Sequence, residues 1–376
     1  MTQTSKTVWW IVGLVIVVII IVVVSRGGSN NSGPIKIGFI GPLTGGAAPY
    51  GEPSANAVKI AVGEINAAGG VNSRPLQVIY EDGKCSGPDA AGAAQKLVNI
   101  DKVKYLIGGG CSGESFSVVP IITAAKVLAI SPISSAPKLS GSSPYFIRNN
   151  PNDNLFGPSL ADFLASSSYK TVATISEQTD YAQGIKTVFL AELQKDGLAS
   201  ADVEDFTSDT TDFRTILSKV RDSKPDVLFI NAKSGANFIH IAQQARQLGI
   251  KAQLANVYLG TDPLIASSTD LLNGAVFADL PGLSTEKGKQ FMASYQSAYG
   301  SLPPYPFYAG AAYDDVYLIT DGIKSVGDDP TKVMSYLHSL PNYTGAIGTY
   351  SFDQNGDISG YKPLFQKIVD GKLVNL

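Results

Sequence analysis

From residue 35 onward the chain repeats one pattern: a short apolar run, a turn rich in Gly or Ser, and a longer amphipathic stretch. In the first repeat, the run IKIGFIGP is followed by residues 53–68, which carry apolar side chains at helical spacing, and Gly69 and Gly70 then end the helix. Alternation of strand and helix is typical of a parallel sheet wrapped by helices. The sequence therefore predicts an α/β fold built from doubly wound parallel sheets.

The alternation continues long enough to build two sheets. Residues 35–150 predict five strands, and the pattern restarts at a helix over 155–165 with the further strands TVATIS, ADVEDFT, DVLFINA and QLANVYLG. At roughly 150 residues per domain, a chain of 376 residues also favours two globular bodies. The segment after residue 275 predicts one strand and three helices, which must return to a body already built. Turn signals at 355–356 (NG) and 370–371 (DG) predict hairpins in the tail.

Residues 8–24 are consecutively apolar, with Trp9 and Trp10 near the start, Lys6 before the run and Arg26 after it. At 1.5 Å per residue, a helix of this length approaches the hydrocarbon thickness of a bilayer. No small-x-small cleavage site follows the run, so the sequence predicts an uncleaved transmembrane anchor, with a signal peptide of unusual processing as the alternative. Both interpretations place the body outside the cytoplasm, extracellular or periplasmic, and the anchor would leave residues 1–7 inside.

Composition excludes several classes of function. The chain has 29 basic and 32 acidic residues, a net charge of −3, so it lacks the basic excess needed to bind a nucleic acid. Two histidines, His240 and His338, and two cysteines are too few for a zinc site of usual spacing. We therefore expect neither a metal nor a nucleic-acid partner.

The motifs that would indicate catalysis or a bound cofactor are absent or incomplete in this sequence. Residues 108–113 match G-x-G-x-x-G, but the region about 20 residues further on reads SPIS, without the acid that holds a ribose. There is no G-x-S-x-G elbow, and the two distant histidines suggest no catalytic triad. The sequence predicts a protein that is not an enzyme and has no cofactor.

Cys85 and Cys111 each follow a predicted strand of the first body. Neighbouring strand ends in one sheet can bring two cysteines within bridging distance, and the expected compartment is oxidising. We therefore predict a disulfide, which would stabilise the fold by about 3–4 kcal/mol. Two buried thiols are the alternative.

The turns after the strands hold the candidate ligand-binding residues, because open parallel sheets bind ligands beyond the carboxyl ends of their strands. Ser112 opens a helix whose free amides suit a carboxylate, although it could be a plain N-cap. Ser134 and Ser135 follow the strand VLAISP, and Tyr50 and Tyr181 could cover an apolar or planar ligand from opposite bodies. Each residue alone is ordinary, and their convergence predicts a binding site.

An ordered set of motifs carries a resemblance to a known family. The set comprises IKIGFIGPLTG, EINAAGGVNSRPLQVIYED, IGGGCSGESF, AISPISSAPKLS, FIRNNP, IAQQARQLGI and FDQNGDISG. It resembles the type I periplasmic binding proteins of ABC transporters, in the branch of the leucine/isoleucine/valine-binding proteins, from residue 35 to nearly the C-terminus.

The resemblance implies two lobes joined by a three-segment hinge, with crossings near 148–150, 278–281 and 347–350. The first lobe would comprise 35–149 and 280–347, and the second 150–279 and 348–376, after a flexible tether over 25–34. The resemblance also implies that the lobes close on a ligand and that the closed form delivers it to an ABC permease in the membrane.

The resemblance also implies residue roles. Ser112 and the Ser135 amide look like carboxylate binders, and the Ser135 hydroxyl and Ile133 carbonyl look like acceptors for an ammonium group. Tyr50 and Tyr181 look like contacts to the ligand side chain, and the cysteine pair is similar to a disulfide of the family.

Two positions depart from the pattern of leucine binders. An ungapped match gives Tyr258 where those proteins place an acid for the ammonium, and Asp262 is the nearest carboxylate. After the strand DVLFI, where a tyrosine is expected, this chain has Ala232 and Lys233. Lys233 would favour a second anionic group on the ligand if it reached the cleft, and it would otherwise be a solvated lysine at a helix start.

These observations predict a membrane-anchored solute-binding protein that captures an amino acid or related small carboxylate for an ABC importer. A ligand-sensing ectodomain that signals to a partner protein is the alternative. The single predicted span, with no signalling domain at either end of this sequence, argues against the sensor.

Overall fold

A computed structural model describes residues 33–376. The predicted cytoplasmic end, the anchor at 8–24 and most of the tether lie outside the described residues. Within 33–376, no helix combines the length and the hydropathy needed to cross a bilayer.

The first sheet has the five parallel strands that the sequence predicts. The elements in chain order are β1 (Ile35–Gly41), α1 (Ala48–Ala67), β2 (Leu76–Asp82), α2 (Gly87–Asn99), β3 (Tyr105–Gly108), α3 (Ser112–Ala125), β4 (Leu128–Ser131), a 3₁₀ turn (Pro137–Leu139) and β5 (Phe146–Arg148). The strand order in the sheet is β2-β1-β3-β4-β5. Alternate residues of β1 face opposite sides, so Ile37 and Phe39 pack in one buried cluster with α1, and Ile40 packs in another with α2 and α3.

The remaining elements follow the predicted alternation. They are α4 (Asp153–Ala165), β6 (Thr171–Glu177), α5 (Asp180–Lys195), β7 (Ala199–Phe206), α6 (Arg214–Ser223), β8 (Val227–Asn231), α7 (Gly235–Gln247), β9 (Gln253–Val257), α8 (Pro263–Ala266), β10 (Val276–Asp279), α9 (Glu286–Tyr299), α10 (Pro306–Val326), α11 (Pro330–Ser339), β11 (Tyr343–Thr344), β12 (Thr349–Phe352), β13 (Ile358–Ser359), β14 (Leu364–Val369) and β15 (Lys372–Asn375). Only the one-turn helix α8 among these helices has no counterpart in the sequence prediction.

The second sheet has the order β15-β14-β10-β9-β8-β6-β7, and its last five strands are parallel. Helices α4 and α5 cover one face, where Phe156 and Phe189 are buried, and α6 and α7 cover the other, where Phe213 and Phe238 are buried. The strands β14 and β15 join antiparallel through the predicted turn at 370–371.

The chain after β10 returns to the first sheet, as predicted. Helix α10 packs against α1, and α11 packs near β4 and β12. The small antiparallel sheet β11-β12-β13 also lies beside the first sheet, because the amide of Arg148 at the end of β5 donates to the carbonyl of Gly356 at 2.9 Å. The chain therefore passes between the two sheets at 149–152, 280–285 and 360–363.

The third passage lies after β13, which differs from the crossing expected near 347–350. Residues 345–348 instead stay beside α10, where the carboxylate of Asp314 accepts from the amides of Ala346 at 2.8 Å and Ile347 at 3.2 Å. The limits of the two lobes, 35–149 with 280–347 and 150–279 with 348–376, stay a prediction.

Candidate functional site

One cavity lies between the two sheets, at the point where each sheet reverses its strand order. The reversal falls between β1 and β3 in the first sheet and between β6 and β8 in the second. Ligands of open α/β sheets bind at such switch points, outside the carboxyl ends of the strands. The loops after these four strands surround a cavity of about 870 Å³, a size suited to a small molecule.

The cavity brings together seven of the nine predicted ligand-binding residues. They are Tyr50, Ser112, Ile133, Ser135, Tyr181, Lys233 and Tyr258. The other two, Ser134 and Asp262, are not among the lining residues. That the seven bind a ligand stays a prediction.

The first lobe contributes an end of the cavity that suits an anion. Ser112 is the first residue of α3, directly after the N-cap Cys111, so its hydroxyl lies with the unpaired amides of that helix start. Ser135 lines the same cavity and is buried, and its carbonyl accepts from the amide of Asp153 at 2.9 Å. The Ile133 carbonyl accepts from the Asn150 side chain at 2.7 Å, which reduces its capacity to accept from a ligand ammonium.

Ser134 and Asp262 are used within the protein. The Ser134 hydroxyl is buried, 2.7 Å from the Ser115 hydroxyl and 2.7 Å from the Gly109 carbonyl. Asp262 caps α8 through the Leu264 amide at 2.8 Å and also accepts from the Tyr305 hydroxyl at 2.5 Å. Both polar groups therefore hold loops in place behind the cavity.

Four tyrosines line the cavity, and one of them, Tyr308, has no counterpart in the sequence prediction. Tyr308 lies in the first turn of α10, where the run YPFY at 305–308 is the only sequence signal. The Tyr50 hydroxyl donates to the Lys233 carbonyl at 2.8 Å, and the Tyr258 hydroxyl donates to Asp153 at 2.8 Å. These two side chains therefore present their rings to the cavity while their hydroxyls are held by the protein.

Lys233 reaches the cavity wall but is paired. Its Nζ lies 3.3 Å from the carboxylate of Glu177 and donates to the Ser208 hydroxyl at 3.1 Å. Glu177 is fully buried, and it also accepts from the Lys233 amide at 3.0 Å. The loop after β8 is thus fixed to the end of β6, and one third of the lysine side chain remains exposed.

Two hydrogen bonds cross the cleft between the lobes. Tyr50, on α1, donates to Lys233 after β8, and Tyr305, before α10, donates to Asp262 after β9. The Tyr50 and Tyr305 rings are stacked, with centroids 4.3 Å apart. The structure therefore has the two sides of the cleft in direct contact.

Cys85 and Cys111 form the predicted disulfide, with their Cα atoms 5.2 Å apart. Glu114 joins the same two residues, because its carboxylate oxygens accept from the amide of Cys85 at 2.8 Å and that of Cys111 at 2.9 Å. Both cysteines line the cavity beside Ser112. The bridge and the carboxylate together fix the loop that precedes α3.

Three buried carboxyl groups near the cleft have raised pKa values. Burial disfavours the charged form and raises the pKa of Glu114 to about 7, of Asp153 to about 7 and of Asp279 to about 6. Hydrogen bonds to these groups oppose the rise without cancelling it. These three groups together therefore bind more protons in the folded chain than in the unfolded chain between about pH 4.5 and pH 7.

We expect the free energy of unfolding to fall as the pH rises from 5 to 8. A carboxyl whose pKa is higher in the folded chain favours folding most while it is protonated, and this advantage is lost as the pH passes the folded pKa. Urea unfolding at pH 5, 6, 7 and 8 measures the trend, and Glu114→Gln should flatten it. A free energy of unfolding that is constant or rises over this pH range would contradict the raised pKa values of these carboxyl groups.

Comparisons with known proteins identify the family. The family model described as periplasmic binding protein matches residues 34–366. The leucine-, isoleucine-, valine-, threonine- and alanine-binding protein of Pseudomonas aeruginosa is 28% identical over 343 residues, which are 87% of this chain and 88% of that protein.

Two solved structures extend the comparison to the fold. A leucine-binding protein of Thermotoga maritima has a TM-score of 0.81 and 25% identity, covering 91% of this chain and 97% of that one. A branched-chain amino acid transporter substrate-binding protein of Streptococcus pneumoniae, in complex with isoleucine, has a TM-score of 0.76 and 25% identity, covering 91% and 100%. Membership in a family of binding proteins confirms the prediction that the chain is not an enzyme. The chain belongs to the periplasmic binding protein family.

Proposed function

We propose that this protein is an extracytoplasmic solute-binding protein that captures a small carboxylate, such as an amino acid or a related acid, and delivers it to an ABC importer. The observation that carries the proposal is the cavity at both switch points, which has an anion-suited end at Ser112 and Ser135 on the first lobe and walls from the second lobe. A ligand held by both lobes stabilises the closed arrangement.

The relatives support this function. The Pseudomonas protein is named for binding leucine, isoleucine, valine, threonine and alanine, and the Streptococcus protein is described as a transporter substrate-binding protein. Both align over most of this chain. The likeness to transporter binding proteins supports an ABC permease as the partner.

The apolar run at 8–24 supports attachment to the membrane. A span of this length would keep the binding lobes near a permease in the same membrane, with 25–34 as the tether. Fractionation of cells tests the attachment: the chain should stay with membranes after a high-salt wash. Release into the soluble fraction by that wash would contradict an anchor.

Ser112→Ala and Ser135→Ala are each expected to weaken ligand binding by about 1–3 kcal/mol, because each removes a partner of a buried charged group. Calorimetric titration of the full chain against the twenty amino acids and common carboxylic acids, after carried-over ligand has been removed, identifies the ligand and measures the loss. Ser134→Ala is the matched control, since its hydroxyl bonds Ser115 and the Gly109 carbonyl behind the cavity. Unchanged affinity in both test variants would contradict the site.

Tyr305→Phe is expected to weaken ligand binding by about ten- to a hundredfold. Its hydroxyl donates across the cleft to the buried carboxylate of Asp262, a contact that belongs to the closed arrangement, and a hydrogen bond to a charged group contributes about 1.5–3 kcal/mol. Tyr145→Phe is the control, because its hydroxyl bonds Thr331 at 3.1 Å on the first-lobe side only. Equal effects of the two changes on the dissociation constant would contradict a role in closure.

A further inference from the structure

Two buried carboxylates near the cavity are already used within the protein, which limits the ligands that the site can accept. The carboxylate of Asp262 accepts hydrogen bonds from the amides of Gly235 and Leu264 and from the Tyr305 hydroxyl. The carboxylate of Glu177 accepts from the Ser208 hydroxyl and the Lys233 amide, and it also pairs with the Lys233 ammonium. Neither lies among the lining residues.

Asp153 is the third buried acid close to the cleft, and it too lies behind the wall. It is fully buried and is not among the lining residues, and one of its oxygens accepts from the Tyr258 hydroxyl. Burial raises its pKa to about 7, so near pH 7 only about half of the molecules carry the charge that an ammonium would need.

Within residues 33–376, the acids that do line the cavity are Asp180 and Asp205. Both are exposed to solvent, and both oxygens of Asp205 accept from the Lys186 ammonium at 2.8 Å. Among the described lining residues, an α-ammonium group held beside Ser112 and Ser135 would therefore have no buried carboxylate partner; the carboxylate beside this end is that of the exposed Asp180, next to Gly113. An ion pair with an exposed carboxylate contributes little, and a buried charge that is poorly paired is unfavourable.

The rest of the wall suits a planar apolar body. The rings of Tyr50, Tyr181, Tyr258 and Tyr308 line the cavity, and the hydroxyls of Tyr50 and Tyr258 are bonded to the protein. Aromatic rings favour offset or edge contacts with another ring. Lys233 lies in the same wall, with its ammonium paired to the carboxylate of Glu177.

We propose, on the basis of the proposed function, that the ligand is a carboxylate that has an aromatic body and no α-ammonium group. The helix start at Ser112 and the Ser135 amide receive the carboxylate, and the tyrosines pack around the ring. An aromatic carboxylic acid thus fits the site better than an amino acid of the same shape.

Two pairs of probes that differ only in the α-ammonium group test the proposal: 3-phenylpropionate with L-phenylalanine, and 4-methylpentanoate with L-leucine. Titration of the full chain should show 3-phenylpropionate binding at least about tenfold tighter than L-phenylalanine, and tighter than 4-methylpentanoate. Tyr181→Leu should reduce the preference for 3-phenylpropionate over 4-methylpentanoate, while Tyr181→Phe, which keeps the ring, should retain it.

The possible outcomes separate this inference from the proposed function. Tighter binding of either amino acid than of its deaminated partner overturns the inference and leaves a solute-binding protein. Tighter binding of 4-methylpentanoate than of 3-phenylpropionate also overturns the inference and leaves a solute-binding protein. Binding of one of the other amino acids, without binding of the two deaminated acids, has the same consequence. Binding of none of the twenty amino acids, the two deaminated acids or benzoate would remove the proposed function itself.

Discussion

Replacement of Arg148 by methionine is expected to lower the free energy of unfolding by about 3–5 kcal/mol. Arg148 is fully buried; its Nε donates to Asp357 at 2.6 Å and its Nη1 donates to the Ala136 carbonyl at 2.8 Å. Methionine fills a similar volume but donates no hydrogen bond and carries no charge. The variant therefore leaves the carboxylate of Asp357 largely buried without its partner, and urea unfolding measures the loss.

The pair also connects two of the passages between the sheets. Arg148 ends β5 immediately before the first passage between the sheets, and Asp357 lies just before β13 and the third passage. The second oxygen of Asp357 accepts from Ser140 and Asn152, each at 2.7 Å. Loss of the arginine should therefore weaken the contact between the first and third passages.

The loss should depend on pH. Burial opposes ionisation of Asp357, but the hydrogen bond and charge of Arg148 outweigh it and hold its pKa below the ordinary value of 3.8. A depressed carboxyl pKa contributes stability above the unfolded value, and this contribution is lost as the pH falls through the folded pKa. The difference between wild type and Arg148→Met should thus be largest near pH 7 and smaller near pH 4.

Two further variants make this prediction specific. Arg214→Met removes an arginine whose pair with Asp212 is exposed, and we expect no resolvable change in stability. The double change Arg148→Met with Asp357→Asn removes the unpaired charge and should recover part of the loss. Equal stabilities of Arg148→Met and Arg214→Met would show that the buried pair does not stabilise the fold.

Local sequence patterns predicted the elements that build the cavity. The strand-helix alternation placed β1, β3, β6 and β8, and the turns and helix starts after them contain Tyr50, Ser112, Tyr181 and Lys233, which line the cavity in the structure. This success has a simple cause: hydrophobic periodicity reports local structure, and parallel strands bring their carboxyl ends together.

Contacts between distant residues could not be predicted in this way. Tyr258 donates to Asp153, 105 residues earlier, and Arg148 pairs with Asp357, 209 residues later. Asp262 is the nearest acid to Tyr258 along that loop, yet the cap of α8 and the bond from Tyr305 direct it away from the cavity. Whether an acid faces a ligand or a neighbouring loop depends on tertiary partners that no local spacing reveals.

Removal of the disulfide through the double change Cys85→Ala with Cys111→Ala is expected to lower the free energy of unfolding by about 3 kcal/mol. The bridge closes a loop between residues 26 apart, and without it the unfolded chain gains conformational freedom. Ligand affinity should fall severalfold as well, because Cys111 is the N-cap of α3 and Ser112 opens that helix. Urea unfolding and calorimetric titration measure the two effects on the same variant.

The backbone around Cys85 gives the reason for both effects. Lys84 and Cys85 have φ values of 52° and 56°, in the left-handed region that side chains other than glycine disfavour, so the loop persists only while its surroundings hold it. Glu114 accepts from both cysteine amides and remains in the double variant, which therefore should fold but with a more mobile start of α3. The wild-type protein can be reduced under unfolding conditions and refolded with reductant. This treatment should lower its free energy of unfolding to that of the double variant, and it should not change the free energy of unfolding of the variant. Two reactive thiols in wild type unfolded without reductant would show that the bridge is absent in solution.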